Sequence, residues 1–399
     1  MKPAAMLPAS PLPKAGEQWT ASLRVPVEFG TDCLDRVMAY LNGAHRVLLV
    51  TGRTAMKAAG ITDRLSAGLQ AAGVETCICD GLSAEPAHQE ITAAAQMART
   101  FRAQLVIGCG GGSAIDGAKA VAVAATHPEP IMDYVVNGPR VITSATLPVL
   151  AISSTSGTGS HVGRVSVLSD REKRIKRALI SDYLYPRAAF CDPLVLQTMT
   201  PEVTASTGFD AFAQAMEGYL SRSENPLGNL CAERAMTIIF PTLPLAIANG
   251  RNLDLRTAMA WADTLAGISL ATNAIITPHA LSMVLGARYG ITHGRAIAAV
   301  TLACLRHSRP AVVRKMAQIA RLLGCRESAS DEAMASWTMT ALEGWLDQIG
   351  MKRSLREYGV VEADLESIAQ EVRTVFALRL DADPAPPNVA DLARILRES

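Results

Sequence analysis

The chain has 399 residues, of which 49% are apolar, 19% charged and 5% aromatic, and its 38 Lys and Arg against 37 Asp and Glu leave a net charge of +1. That balance excludes a disordered chain, a phosphate-neutralising nucleic-acid surface and a base-stacking platform. The length is enough for two domains with a large buried core.

The N-terminus carries Pro3, Pro8, Pro11 and Pro13 and no apolar h-region, so it reads as a frayed tail and not a signal peptide. Residues 23–29 place Val25, Val27 and Phe29 on one face with a period of two, which predicts a strand. Gly30 ends it, and Thr31 or Asp32 can cap a following helix. Residues 46–51 form a continuous apolar run typical of a buried parallel strand. A helix over 61–72, a strand over 74–79 and a further buried strand over 105–108 follow. The next strand, 147–152, tolerates Pro148 because it stands at the strand's start. Strands alternating with helices indicate a doubly wound parallel sheet.

Beyond residues 193–200 helical periodicity takes over, and we divide the chain into an α/β domain, 1–194, and an all-α domain, 195–399. Helices are expected over 209–220, 227–240, 257–274, 312–323, 333–348 and 391–397, with Pro241 and Pro244 ending the second. A loop is expected over 383–387. The longest apolar stretch, 258–276, is interrupted by Asp263, Ser and Thr, and reads as a core helix and not a membrane span. The eight cysteines are scattered, and Cys77 and Cys79 are spaced for neither a redox pair nor a zinc knuckle. They fit a reduced, cytoplasmic protein whose thiols pack as small hydrophobes.

The most informative stretch is 105–119. A buried strand runs into Gly110, Gly111, Gly112 and Ser113 and then into a helix. Glycines without Cβ let the backbone approach an anion, and the helix N-terminus favours negative charge, which together suit a pyrophosphate. Ser113 can cap the helix and donate to phosphate. A second polar loop, 153–160, with Ser154, Thr155 and Thr158, follows the next strand at its C-terminal end, the ligand edge of an open α/β sheet.

The runs 110–119 (GGGSAIDGAK), 154–160 (STSGTGS) and 207–211 (TGFDA), with Pro278-His279 and then Thr292-His293-Gly294, give the chain its resemblance to the iron-containing (group III) alcohol dehydrogenase family. The resemblance implies an N-terminal dinucleotide-binding α/β domain, an all-α C-terminal domain and a cleft between them, the dehydroquinate synthase-like architecture. It also implies a divalent metal, Fe(II) or Zn(II), and NAD(P)-linked interconversion of alcohols with aldehydes or ketones. A homodimer acting on a small alcohol or aldehyde, with neither nucleic acid nor membrane as partner, completes the expectation. Gly52, Arg53, Gly110, Gly111, Gly112, Ser113, Asp116, Ser154, Thr155, Thr158 and Lys176 are the expected cofactor contacts. Relatives specific for NAD often carry Asp at the position of Gly52; here Gly52 and Arg53 remove that repulsion, so NADP is accepted beside NAD.

The family's metal ligands correspond to Asp210, Gln214, His279 and His293. Asp210 and Gln214, at i and i+4, share one helix face. Gln214 stands where the family has His and is a weaker, neutral ligand, so metal occupancy depends on the other three. Met283 occupies a position where the family often has a proton-carrying His, and His161 one where it usually has Glu. No catalytic acid or base is assigned. His88 and His127 read as surface or loop residues and His45 stands just before a strand; none of the three is assigned a function. The alternatives are a metal-independent maleylacetate-reductase-like oxidoreductase and a dehydroquinate-synthase-like or glycerol-1-phosphate-dehydrogenase-like enzyme on a phosphorylated substrate. A nucleotide-binding protein without activity is a further one. The basic run Lys173, Arg174, Lys176 and Arg177 would serve a phosphate, but a solvated hairpin face explains it more simply.

Overall fold

The computed structural model describes residues 19–223, 225–326 and 329–399; the proline-rich tail read from the sequence lies outside them. A short strand β1 (Val27–Phe29) is followed by a 3-10 helix, Cys33–Tyr40. The α/β part continues with β2 (Arg46–Gly52), α1 (Ala55–Ala58), α2 (Ile61–Ala71), β3 (Glu75–Leu82) and α3 (His88–Phe101). It then runs through β4 (Leu105–Gly110), α4 (Gly112–Ala124), β5 (Val149–Ser153), the hairpin β6 (Val165–Asp170) and β7 (Ile175–Ile180), β8 (Ala188–Cys191) and α5 (Pro193–Leu196). Six strands form one parallel sheet in the order β1-β8-β5-β4-β2-β3. The chain leaves β2 towards β3 but leaves β4 towards β5. The crevice beyond the carboxyl ends of β2 and β4 is therefore the switch point where such sheets bind ligands. Val47, Leu48, Leu49 and Val50 of β2 and Leu105, Val106 and Ile107 of β4 are fully buried, as strands covered by helices on both faces require.

The rest is helical: α6 (Pro201–Leu220), α7 (Pro226–Ala248), α8 (Leu253–Thr272), α9 (Thr277–Tyr289), α10 (His293–Leu322), α11 (Asp331–Gln348), α12 (Leu365–Val375), α13 (Ala377–Asp381) and α14 (Val389–Arg397). Local chemistry sets where several of them start. Thr200 and Asn225 accept the first free N–H groups of α6 and α7, and Pro201 and Pro226 occupy the first helical position. Phe209, Phe212 and Trp345 meet at the centre of the helical core, with the rings of Phe212 and Trp345 4.7 Å apart.

Several expectations need correction. Only residues 27–29 of the first strand pair, because Leu23 is exposed and has no sheet neighbour. Asp32 caps nothing; it holds a left-handed conformation and pairs with Arg64. Pro241 and Pro244 do not end α7. Pro241 is exposed and Pro244 half-buried, so water can reach the carbonyls they leave unpaired, while Leu243 and Ala246 bury on the opposite side. Residues 312–322 are the second half of α10, which bends at Val312 just after Pro310. By length and composition α7 could cross a membrane, as could α8 and α9 taken together, although that pair is bent by 103°. In the fold, Ala232, Met236, Ile239 and Leu243 of α7 belong to the buried helical core.

Candidate active site

A cleft of about 520 Å³ separates the carboxyl edge of the sheet from the helices. Its sheet side is lined by Gly112, Ser113, Asp116, Thr158 and Lys176, and its helical side by Asp210, Gln214, His279, Met283 and His293. Gly52, Arg53, Gly110, Gly111, Ser154 and Thr155 are not on its wall.

The glycine run is required by close packing. A Cβ on Gly112 would lie 2.4 Å from Thr158, one on Gly111 would lie 3.1 Å from Thr155, and Gly110 has a φ of +152°. The loop after β5 thus lies directly on the N-terminus of α4, and the Ser154 N–H donates to the Gly110 carbonyl (2.9 Å). Gly111, and not Ser113, is the N-cap of α4; Ser113 lies inside the first turn, where its hydroxyl accepts the Glu85 N–H (3.1 Å). Asp116 also has an internal role. Its carboxylate accepts from the Ser160 hydroxyl (2.5 Å) and from the Val167 N–H (2.9 Å), which ties the loop and β6 to α4.

Sequence reasoning missed Lys119 as a functional support. It is wholly buried, and its ammonium donates to the carbonyls of Ser160 (2.7 Å), Gly163 (2.8 Å) and Val165 (2.9 Å) and to the Ser160 hydroxyl (3.0 Å). Burial pulls the ammonium down to about 8, against the attraction of Asp116. The signal was available in the sequence: a lysine three residues after an aspartate on an otherwise apolar helix.

On the helical side, α6 presents Asp210, Gln214 and Glu217 from one face, and all three are buried. The ligand atoms of Asp210, His279 and His293 lie within 4.8 Å of one another. His279 Nε2 is 3.3 Å and His293 Nε2 4.0 Å from Asp210 Oδ1. Glu217, which sequence reasoning also missed, accepts from His279 Nδ1 (2.7 Å) with one oxygen and from the Ile276 N–H (2.8 Å) with the other. Its i+7 spacing from Asp210 was the available signal. With Nδ1 committed to Glu217, His279 turns Nε2 into the cluster, as carboxylate–histidine–metal arrangements require. His293 Nδ1 is likewise engaged by the Ser282 hydroxyl (3.2 Å). Burial disfavours the charged His279 ring, but Glu217 and Asp210 outweigh it and lift the ring to about 9. Burial takes His293 down to about 4 against the pull of Asp210.

Two imidazole nitrogens and a carboxylate converging from three helices fit a divalent cation, with open positions towards the cleft. Gln214 donates Nε2 to Asp210 (3.1 Å) and leaves its buried Oε1 without a partner. Turning the amide over would bring that oxygen to the cluster as a fourth, neutral ligand.

His161 is not at the cleft wall but buried behind it, with Nε2 3.0 Å from the Thr264 hydroxyl and Nδ1 3.9 Å from Asp263. Burial, helped by the Lys119 charge, holds its ring down to about 3. Burial raises Asp263 to about 7 although it accepts the Gly159 N–H (3.0 Å). A carboxylate from α8 thus stands beside the histidine and anchors the loop. His127 lies in the loop after α4, as one of its two readings has it, but is buried there and not at the surface, bridging the Val123 carbonyl (3.0 Å) and the Thr143 hydroxyl (3.0 Å). The basic run is the β6–β7 hairpin: the exposed Lys173 pairs with the buried Asp170, and Lys176 turns inward to the Glu85 carboxylate. Arg53, at the end of β2, bonds the Gly81 carbonyl (3.3 Å) and Glu90 (3.5 Å).

Comparison with known proteins identifies the family and the fold. Residues 26–193 match the model of iron-containing alcohol dehydrogenases, and residues 204–399 match that of the C-terminal region of the same family. The chain is 32% identical to long-chain-alcohol dehydrogenase 1 of Geobacillus thermodenitrificans, over 92% of this chain and 93% of that one. Among solved structures, an archaeal halo-thermophilic alcohol dehydrogenase from a Red Sea brine pool superposes with a TM-score of 0.91 at 26% identity, covering 96% of this chain and 98% of the other. Sulfoacetaldehyde reductase from Bifidobacterium kashiwanohense, solved with NAD+, superposes with a TM-score of 0.85 at 28% identity, covering 96% and 99%.

Proposed function

Because the chain belongs to the iron-containing alcohol dehydrogenase family and is an NAD-dependent alcohol oxidoreductase, we propose that Asp210, His279 and His293 hold its catalytic divalent cation and that the cofactor pyrophosphate lies on the N-terminus of α4. The observation that carries this reading is the convergence of those three ligands in one cleft with Gly112 and Ser113. Held by Asp210, His279 and His293, the cation would supply Lewis-acid polarisation of a carbonyl oxygen, and a nicotinamide cofactor seated at the α4 N-terminus would supply hydride chemistry. Glu217 fixes the ring of His279. Leu270, Ile275 and Met283 give the cleft an apolar wall that excludes water. Met283 offers no proton-carrying group at the cleft wall. The division at residues 194 and 195, a homodimer and a cytoplasmic location belong to the same proposal; all eight cysteines are free thiols, in keeping with a reducing compartment.

Either Fe(II) or Zn(II) suits the ligand set. The test is metal content and aldehyde reduction before and after chelation. Activity should fall with the metal and return when either ion is added back. Gln214→His restores an imidazole one turn from Asp210 and should slow stripping by chelator at least about tenfold, since one added ligand bond of about 1.4 kcal/mol suffices for that factor. Full activity in demonstrably metal-free enzyme would favour the metal-independent reductase, a reading that the replacement of a family histidine by Gln214 keeps open.

NADP(H) use is proposed on the charge at the end of β2. Arg53 and Arg171 both face the single carboxylate of Glu90, which leaves one positive charge in excess for a ribose 2′-phosphate. Arg53→Ala should lower the ratio of kcat/KM with NADP(H) to that with NAD(H) by about three- to tenfold, as loss of an exposed charged contact predicts. A ratio unmoved by the substitution, with NAD(H) preferred more than about tenfold, removes Arg53 from cofactor selection.

A further inference from the structure

Three Lys or Arg side chains line the cleft, and two of them already face a carboxylate. Lys176 is paired with Glu85, and Arg164 with Asp182. The third, Arg379 on α13, lines the cleft beside Leu378 but has no ion-pair or hydrogen-bond partner for its guanidinium among the described residues. Its charged group is supported only by the ring of Phe376, 5.3 Å from the ring centroid. It shares the wall of one cleft with Asp210, His279 and His293. Burial lowers the guanidinium to about 10, so it is cationic at neutral pH. Half-buried at the cleft wall, this unpartnered guanidinium leaves its donors for a ligand that supplies a counter-charge.

Resting on the dehydrogenase reading above, we propose that the substrate is a short aldehyde or alcohol carrying a carboxylate at its far end, which Arg379 binds while the reacting carbon faces Asp210, His279 and His293. A single planar fork matches one carboxylate in a bidentate manner. Arg379 is the one Lys or Arg of the cleft wall without an ion-pair partner among the described residues, which provides for one carboxylate and not for a phosphate dianion. The wall between the two ends, with Leu270, Ala271, Ala274, Ile275 and Met283, suits a methylene chain. Arg379 acts on specificity and takes no part in hydride transfer.

The experiment compares two matched pairs, 4-oxobutanoate with butanal and 5-oxopentanoate with pentanal, using NADH and NADPH. In each pair a terminal carboxylate replaces a methyl group. The intact enzyme should prefer the carboxylate in at least one pair by about tenfold or more in kcat/KM, and Arg379→Met should lower that preference at least about tenfold, chiefly through KM. Arg379→Lys, which keeps the charge and loses the fork, should fall between the two. Circular dichroism establishes that both variants are folded, and the lysine variant answers the question should the methionine variant fail. Preference for the uncharged aldehyde in both pairs, or a selectivity indifferent to both substitutions, overturns the proposal and leaves the dehydrogenase reading intact. A weaker hold on NAD(H) with unchanged aldehyde selectivity assigns Arg379 to the cofactor and also overturns it. No turnover of any aldehyde by metal-loaded, cofactor-binding enzyme defeats the dehydrogenase reading itself and the proposal with it.

Discussion

His279→Ala should reduce turnover by about 10³-fold and strip the enzyme of its cation. The substitution removes Nε2 from a three-ligand cluster and at the same time leaves the Glu217 carboxylate buried with only the Ile276 N–H to satisfy it. Lewis-acid polarisation is worth several kcal/mol of transition-state stabilisation, and each 1.36 kcal/mol is tenfold in rate, so a loss of about 4 kcal/mol gives that factor. Elemental analysis of the purified variant should find little metal where the intact enzyme retains it. Glu217→Gln separates positioning from ligation: it keeps the ligand and weakens only the partner that orients the ring. Metal affinity should then drop by about 10- to 100-fold, and added metal should largely rescue activity, which it should not do in His279→Ala. Turnover that survives in metal-free His279→Ala would remove the cation from the reaction.

The second large effect concerns stability. Lys119→Met should lower the resistance of the α/β part to denaturant by about 3–5 kcal/mol. The methionine fills much the same volume but donates nothing. The carbonyls of Ser160, Gly163 and Val165 lose their shared donor, and Asp116 loses its neighbouring positive charge. These groups hold the loop after β5 against α4, so cofactor affinity should fall in step with the unfolding midpoint. Urea unfolding followed by circular dichroism, with cofactor titration by calorimetry, checks both. Ser160→Ala deletes only one of the acceptors and should cost about 1 kcal/mol. A Lys119→Met protein as stable as the parent would show that water reaches these carbonyls after all.

The iron-containing alcohol dehydrogenase pattern and most strands of the sheet were legible in the sequence, because both rest on local chemistry. A buried parallel strand must be a continuous apolar run, as 46–51 and 105–108 are, and three glycines between a strand and a helix admit few other uses. Asp210 and Gln214 were placed on one helix face by their spacing alone. Their meeting with His279 and His293 came only from the family resemblance, since no local rule brings residues about 70 positions apart into one cluster.

Tertiary structure decided the rest. It carried α7 through Pro241 and Pro244, where burial of Leu243 and Ala246 outweighs a strong local preference to stop. It made Gly111 and Gly112 seats for Thr155 and Thr158, gave Asp116 and Lys119 to the packing of a loop, and set Glu217 behind His279. It also left the Arg379 guanidinium without an ion-pair partner among the described residues. Whether a charged side chain is paired or free depends on which distant residues the fold brings within about 4 Å of it. The sequence by itself therefore determined the architecture and the type of chemistry, while the partners of each buried charge, and with them the character of the cleft, were decided by the tertiary structure.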